Sequence, residues 1–166
     1  MKTLYCVRHA KSSWSNPDLS DYNRPLNQRG KRDAPFMADM TVLRELKADI
    51  ILSSPAKRAF ATANIFRKAH GLKKNELIKD ERLYLASPDI MLDVVREMPS
   101  EFGVIYLFGH NPGMTYLANY FSESQIENVP TCGMFKVLCE VEHWHELNRD
   151  KGRLETFVYP KMFHSS

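Results

Sequence analysis

Thr3-Leu4-Tyr5-Cys6-Val7 is a short apolar run that stops at an Arg-His pair, and Arg8-His9-Ala10-Lys11-Ser12-Ser13-Trp14 follows at once as a polar loop. The run reads as a buried strand. In an open α/β sheet the ligand crevice lies outside the carboxyl ends of the strands. A histidine delivered there beside a guanidinium suits phosphate chemistry. Arginine binds phosphate with paired hydrogen bonds, and a neutral imidazole nitrogen can attack phosphorus. A single histidine after a strand is commonly just a satisfied loop residue, so the weight rests on whether the pattern recurs.

It does recur. Further strand candidates are Asp49-Ile50-Ile51-Leu52-Ser53, Glu76-Leu77-Ile78-Lys79 and Val104-Ile105-Tyr106-Leu107-Phe108. Helical patterns fall between them, which argues for a layered α/β fold. Asp33 is expected to cap one helix, with Pro35 in its first turn and Phe36, Met40 and Leu43 on one face. Ser54-Pro55 reads as an N-cap followed by proline at the first helical position. Ala59, Ala63 and Phe66 then share a face, and Gly71 ends that helix. Asn111-Pro112 repeats the device before Met114, Leu117, Ala118 and Phe121, and Met91, Leu92, Val94 and Val95 read as helix core. Two last strands, about 134–142 and 153–159, have no long helical pattern between them and are expected to pair antiparallel. The run from Glu140 to Glu146 alternates like a strand.

If the first four strands are parallel, their polar followers converge on one sheet edge: Arg8 and His9, Arg58 in the first turn of a helix, Asp80 and Glu81, and Gly109-His110-Asn111. Two helix N-termini would then point into the same crevice and favour an anion there. A phosphoryl group in transfer carries charge on three equatorial oxygens, and its catalysis is mostly positioning and electrostatics. Arg8, Arg58 and His110 are candidates to hold those oxygens, His9 to attack in line, and Glu81 to serve as acid and base. The adjacent Asp80 is the competing carboxylate. No Walker-type glycine-rich loop is present, which argues against nucleoside triphosphate use.

Composition limits the function classes. A chain of 166 residues, 43% hydrophobic and 26% charged, is expected to form one domain over 1–166 with its own core. A net charge of +3 without a dense basic stripe argues against nucleic acid as a partner. No segment reads as a membrane span or signal peptide. Three cysteines fit reduced thiols and a cytoplasmic location. Cys132, Cys139, His143 and His145 match no paired metal-ligand spacing, so neither a metal nor a cofactor is expected.

The same residues resemble a known family. Arg8-His9-Ala10-Lys11-Ser12-Ser13-Trp14 is similar to the Arg-His-Gly signature of the histidine phosphatase superfamily. Ser53-Ser54-Pro55-Ala56-Lys57-Arg58-Ala59-Phe60-Ala61-Thr62-Ala63 is similar to its second arginine motif, and Phe108-Gly109-His110-Asn111-Pro112-Gly113 to its second histidine motif. With Asp21-Tyr22-Asn23-Arg24-Pro25-Leu26-Asn27 and Pro130-Thr131-Cys132-Gly133, the resemblance is greatest to the short SixA-like phosphohistidine phosphatase branch. It implies a three-layer α/β/α sandwich of phosphoglycerate mutase-like type, with a mostly parallel sheet ending in an antiparallel pair. It implies His9 as the phosphorylated nucleophile and Arg8, Arg58 and His110 as the phosphate pocket. Ala10 stands where the superfamily has glycine, and Ser15 where mutase-type members often carry asparagine. Ser12, Ser15 and Asn111 are candidate substrate contacts.

Three functions follow. The first is a metal-independent phosphatase acting on phosphohistidine of a partner protein, the second a phosphatase or mutase for a small phosphomonoester, and the third a phosphate-recognising module without turnover. Chain length favours the first, because few residues are left to cover the site; the segments 14–28 and 122–133 are the main loops near it. Two side chains have two readings each. Trp14 is either a crevice wall or a cover over the core edge, and Arg24 extends the anion surface or anchors its loop. Cys132 reads as a buried, inert thiol.

Overall fold

The computed structural model describes residues 1–164. Its six strands are β1 (Lys2–Arg8), β2 (Ile50–Ser53), β3 (Leu77–Lys79), β4 (Val104–Gly109), β5 (Met134–Cys139) and β6 (Gly152–Val158). They form one sheet in the order β3-β2-β4-β1-β5-β6. β3, β2, β4 and β1 are mutually parallel, whereas β5 runs antiparallel to β1 and β6 antiparallel to β5. The expected mixed sheet is therefore present, and Arg8 pairs with Gly109 while Ser53 pairs with Phe108 and Lys79. The four parallel strands end level with one another.

The central strands are apolar on both faces because both are covered. Leu4, Cys6, Ile105 and Leu107 point to one side and pack with α3 (Pro88–Arg96) and α4 (Gly113–Phe121). Tyr5, Val7, Tyr106 and Phe108 point to the other and pack with α1 (Gln28–Leu43) and α2 (Lys57–Ala69). This alternation makes three layers. Met91, Leu92, Val94 and Val95 are all buried, as expected for helix core.

Local starts differ from expectation. α1 begins at Gln28 under Asn27, whose Oδ1 accepts from Gly30 N at 2.9 Å. Pro35 consequently lies inside the helix, and Asp33 is a buried partner of Arg29 and Arg32 rather than a cap. The cause is tertiary: Asn27 N donates to Lys11 O, and Ser12 bridges Leu26, which fixes the chain entry six residues early. α2 starts at Lys57, so Ser54 and Pro55 precede it, and α4 starts at Gly113, with Pro112 at its N-cap position. The 140–146 run is not strand. Val141, Trp144 and Leu147 are buried at a spacing of three, and Trp144 donates to Phe102 O at 2.8 Å from a short 3₁₀ turn.

Gly30 holds α1 against the loop that follows His9. A Cβ there would sit 2.2 Å from Lys11 O. Alanine in place of a helical glycine ordinarily stabilises by about 1 kcal/mol. Here Gly30→Ala is expected to destabilise by about 2–3 kcal/mol, because backbone must move to admit the methyl. Urea unfolding of the two proteins checks the sign.

Candidate active site

Backbone pairing at the strand ends assembles a cleft of about 250 Å³. His9 N donates to Gly109 O at 3.1 Å, Arg8 N to Gly133 O at 3.0 Å, and Cys132 N to both Arg8 O and His9 O at 3.0 Å. The turn through Cys132 has φ of 59°, which lets the 130–133 loop fold back on β1. From the other side, Ala10 N donates to Thr62 Oγ1, which donates on to Arg58 O. α2 and the His9 loop are thereby locked together. Arg8, His9, Arg58, His110, Asp21 and Asn111 all line the cleft.

Both histidines are buried and each is fixed in one tautomer. His9 Nδ1 lies 2.8 Å from Ala10 O, so it carries the proton and leaves Nε2 with a lone pair. Arg58 Nε donates to that Nε2 at 3.3 Å. His110 repeats the logic in reverse: its Nδ1 faces Arg58 Nη2 at 3.3 Å and its Nε2 lies 2.8 Å from Ser54 Oγ. Burial, followed by the nearby positive charges, pushes the pKa of each ring down to about 3. Ser54, expected as a helix cap, thus orients His110, although it still accepts from Ala56 N at 3.2 Å.

The two arginines are held chiefly through carbonyl oxygens and one carboxylate. Arg58 donates to Asp21 O at 2.6 Å and to Asp21 Oδ2 at 2.9 Å. Arg8 Nη1 donates to Val129 O at 3.0 Å, and its buried Nε has no hydrogen-bond partner among the described residues. Burial and the neighbouring Arg58 lower the Arg8 pKa from its ordinary value. Two adjacent guanidiniums make a receptor for a tetrahedral oxyanion, and the neutral His9 lone pair beside them is placed to attack its central atom.

Asp21 and Tyr84 escape the sequence reading. Asp21 Oδ2 accepts from Tyr84 OH at 2.6 Å, and Asp21 Oδ1 from Arg24 Nη2 at 3.0 Å. Burial favours the neutral acid, but the hydrogen bonds from Tyr84, Arg58 and Arg24 outweigh it and hold the pKa near 2. Asp21 sits in a one-turn 3₁₀ segment, so no periodicity marks it. Its sequence signal is the Asp21-x-x-Arg24-Pro25 stretch.

The remaining candidates are distributed unevenly. Glu81 is exposed and lies outside the cleft lining, with Tyr22 OH donating to it at 3.3 Å. Asp80 pairs with Arg82 at 2.7 Å. Ser12 lines the cleft but is buried beneath Arg24 Nη1 at 2.7 Å, and Ser15 is exposed and bonded to Ser13. Asn111 lines the cleft while its side chain ties Val129 O to Thr115. Trp14 is a wall and not a core cover, being 72% exposed with its ring 3.5 Å from the Arg24 guanidinium. Arg24 anchors its loop, as its bonds to Ser12, Ser13 O and Asp21 show. Cys132 is fully buried with its pKa raised by that burial. Among the described residues, no group of three or more His, Cys, Asp or Glu is placed to hold a metal, and no helix is long and apolar enough to cross a membrane.

Comparison with known proteins agrees with this geometry. A family model described as "Histidine phosphatase superfamily (branch 1)" matches residues 4–84. A candidate phosphohistidine phosphatase SixA from Agrobacterium tumefaciens is similar in structure, with a TM-score of 0.79, 26% identity, and coverage of 96% of this chain and 98% of that one. A protein histidine phosphatase SixA complexed with tungstate shares the fold at a TM-score of 0.82 and 17% identity, over 98% of this chain and 99% of that one. In sequence, an uncharacterized protein of Mycobacterium tuberculosis is 28% identical over 93% of this chain and all of its own length. Phosphoserine phosphatase 1 of Hydrogenobacter thermophilus is 32% identical over 61% of this chain and 49% of its own.

Proposed function

We propose that this chain, which belongs to the histidine phosphatase superfamily and is a phosphatase, hydrolyses phosphohistidine on a partner protein. His9 Nε2 attacks phosphorus and the P–N bond of the substrate breaks as the new P–Nε2 bond forms. The substrate imidazole leaves with a proton. Water then attacks phosphorus, the P–Nε2 bond breaks, and orthophosphate departs. Arg8 and Arg58 hold the phosphoryl oxygens throughout, and His110, with Nδ1 on Arg58 and Nε2 on Ser54, keeps the Arg58 guanidinium in place.

One observation carries the substrate choice. Among the described residues, Asp21 is the only carboxylate lining the cleft, and Tyr84, Arg58 and Arg24 keep it ionised. It has no proton to give. An alkoxide leaving group needs a general acid, whereas an imidazole, with an ordinary pKa of about 6.5, is protonated readily from solvent. Glu81, facing Tyr22 outside the lining, is assigned no step. The exposed Trp14 and Leu85 at the rim suit a substrate displayed on a protein surface.

Phosphate release in the presence of EDTA, from a phosphohistidine peptide and from phosphoserine and 3-phosphoglycerate, tests the reading. The expected kcat/KM on the P–N substrate is at least about 100-fold higher, the usual worth of a missing general acid. Equal or better hydrolysis of the esters would assign the chain to small phosphomonoesters instead.

A further inference from the structure

Beside the catalytic cleft lies a second one, of about 440 Å³, and Thr131 lines both. Its cationic walls come from the start of α1 and the turn after β6, Arg29, Arg32 and Lys161, with the His164 ring beside them. The Arg29 and Arg32 side chains are 55% and 62% exposed, although both reach Asp33, which is 1% exposed. Asp33 is the only carboxylate among the described residues lining this cleft, and it is covered by the groups it holds. Arg32 Nε and Nη2 sit 3.1 Å from Asp33 Oδ1, and Arg29 Nη2 donates to Thr131 Oγ1 at 3.4 Å. Arg29 thus links the two clefts.

The two sides of the catalytic cleft differ in exposed charge. On the rim beyond Asn111 the exposed groups are Pro112, Tyr116, Asn128 and the acidic Glu127, and Leu85 is 56% exposed at the cleft mouth. Toward the second cleft, a ligand seated at His9 meets the half-buried Lys11 and then, by way of Thr131, the exposed Arg29, Arg32 and Lys161. We propose that the second cleft docks acidic side chains flanking the phosphorylated residue of a protein substrate. The proposal rests on the phosphohistidine reading above and adds the chemistry of the partner surface. Exposed complementary charges raise the rate of encounter and fix register, and salt screens them.

Two synthetic phosphohistidine peptides test it, one with glutamates flanking the phosphorylated residue and one with glutamines. At 50 mM salt the protein is expected to hydrolyse the glutamate peptide with a kcat/KM about 10-fold higher, the combined effect of several exposed ion pairs. At 300 mM salt the preference shrinks. Arg32→Gln/Lys161→Gln, which touches neither histidine nor Arg58, is expected to remove it while leaving the glutamine peptide within twofold. Lys161→Gln alone, at an exposed position, gives an intermediate preference and guards against a folding defect at Asp33. Equal rates on the two peptides would overturn the docking proposal and leave the phosphatase reading intact. No hydrolysis of either would overturn the reading on which it rests.

Discussion

His9→Ala is expected to lower phosphate release by about 10⁴-fold or more, with the fold and the anion pocket kept. The size follows from the role: removing the atom that forms the covalent intermediate leaves only binding and electrostatic positioning, and losses on this scale are typical of nucleophile deletions. Nothing else in the cleft replaces it. His110 Nδ1 is occupied by Arg58 and its Nε2 lies against Ser54. The variant still contains Arg8, Arg58 and His110, so it is expected to bind tungstate or vanadate, read by a rise in unfolding temperature. Rapid-quench experiments with ³²P-labelled phosphohistidine peptide give the second readout: acid-labile label on the wild type and none on the variant. Undiminished turnover by His9→Ala would remove the covalent mechanism altogether.

The second large effect is on stability below neutral pH. His9, His110 and His70 are buried, and their pKa values lie at about 3, 3 and 4. Burial is the leading cause in each case, and the geometry reinforces it. Each ring has one nitrogen facing an N–H donor: Arg58 Nε on His9, Arg58 Nη2 on His110, and Ala48 N on His70 at 3.0 Å. Protonation would set hydrogen against hydrogen. The unfolded chain binds protons at these sites below pH 6.5 while the native state refuses them, so stability is complete above about 6.5 and falls as pH falls. Each histidine costs about 2 kcal/mol at pH 5, or about 6 kcal/mol for the three. Domains of this kind have about 5–15 kcal/mol in total. Urea midpoints between pH 7.5 and 5 should therefore drop steeply, and a flat profile would show that the rings take up protons in the folded state. Bound vanadate should protect, because it brings negative charge to two of the three rings.

The layer structure was legible because it rests on local patterns. Leu4 and Cys6 against Tyr5 and Val7, and Ile105 and Leu107 against Tyr106 and Phe108, are apolar on both strand faces and hence buried on both sides. His9 and His110 could be brought together from sequence alone, since parallel strands with level ends place the residues that follow them side by side. Helix starts were less legible. Asp33 and Ser54 have the chemistry of caps, and each is used otherwise, by Arg29 and Arg32 of its own helix in one case and by the distant His110 in the other.

Taken by itself, the sequence determined the strand and helix order, the edge at which the site forms, and the four groups that meet there: Arg8, His9, Arg58 and His110. Those follow from periodicity and chain direction, which are properties of neighbouring residues. Only the tertiary structure decided what protonation states and partners those groups have. Asp21 reaches Arg58 from 37 positions away and loses its proton to the field of its neighbours. Glu81, one residue from the end of a strand-and-turn pattern that points to the cleft, faces Tyr22 instead. The physical reason is that burial and hydrogen bonding across sequence-distant segments set pKa values and side-chain direction, and these exist only once the chain has closed on itself.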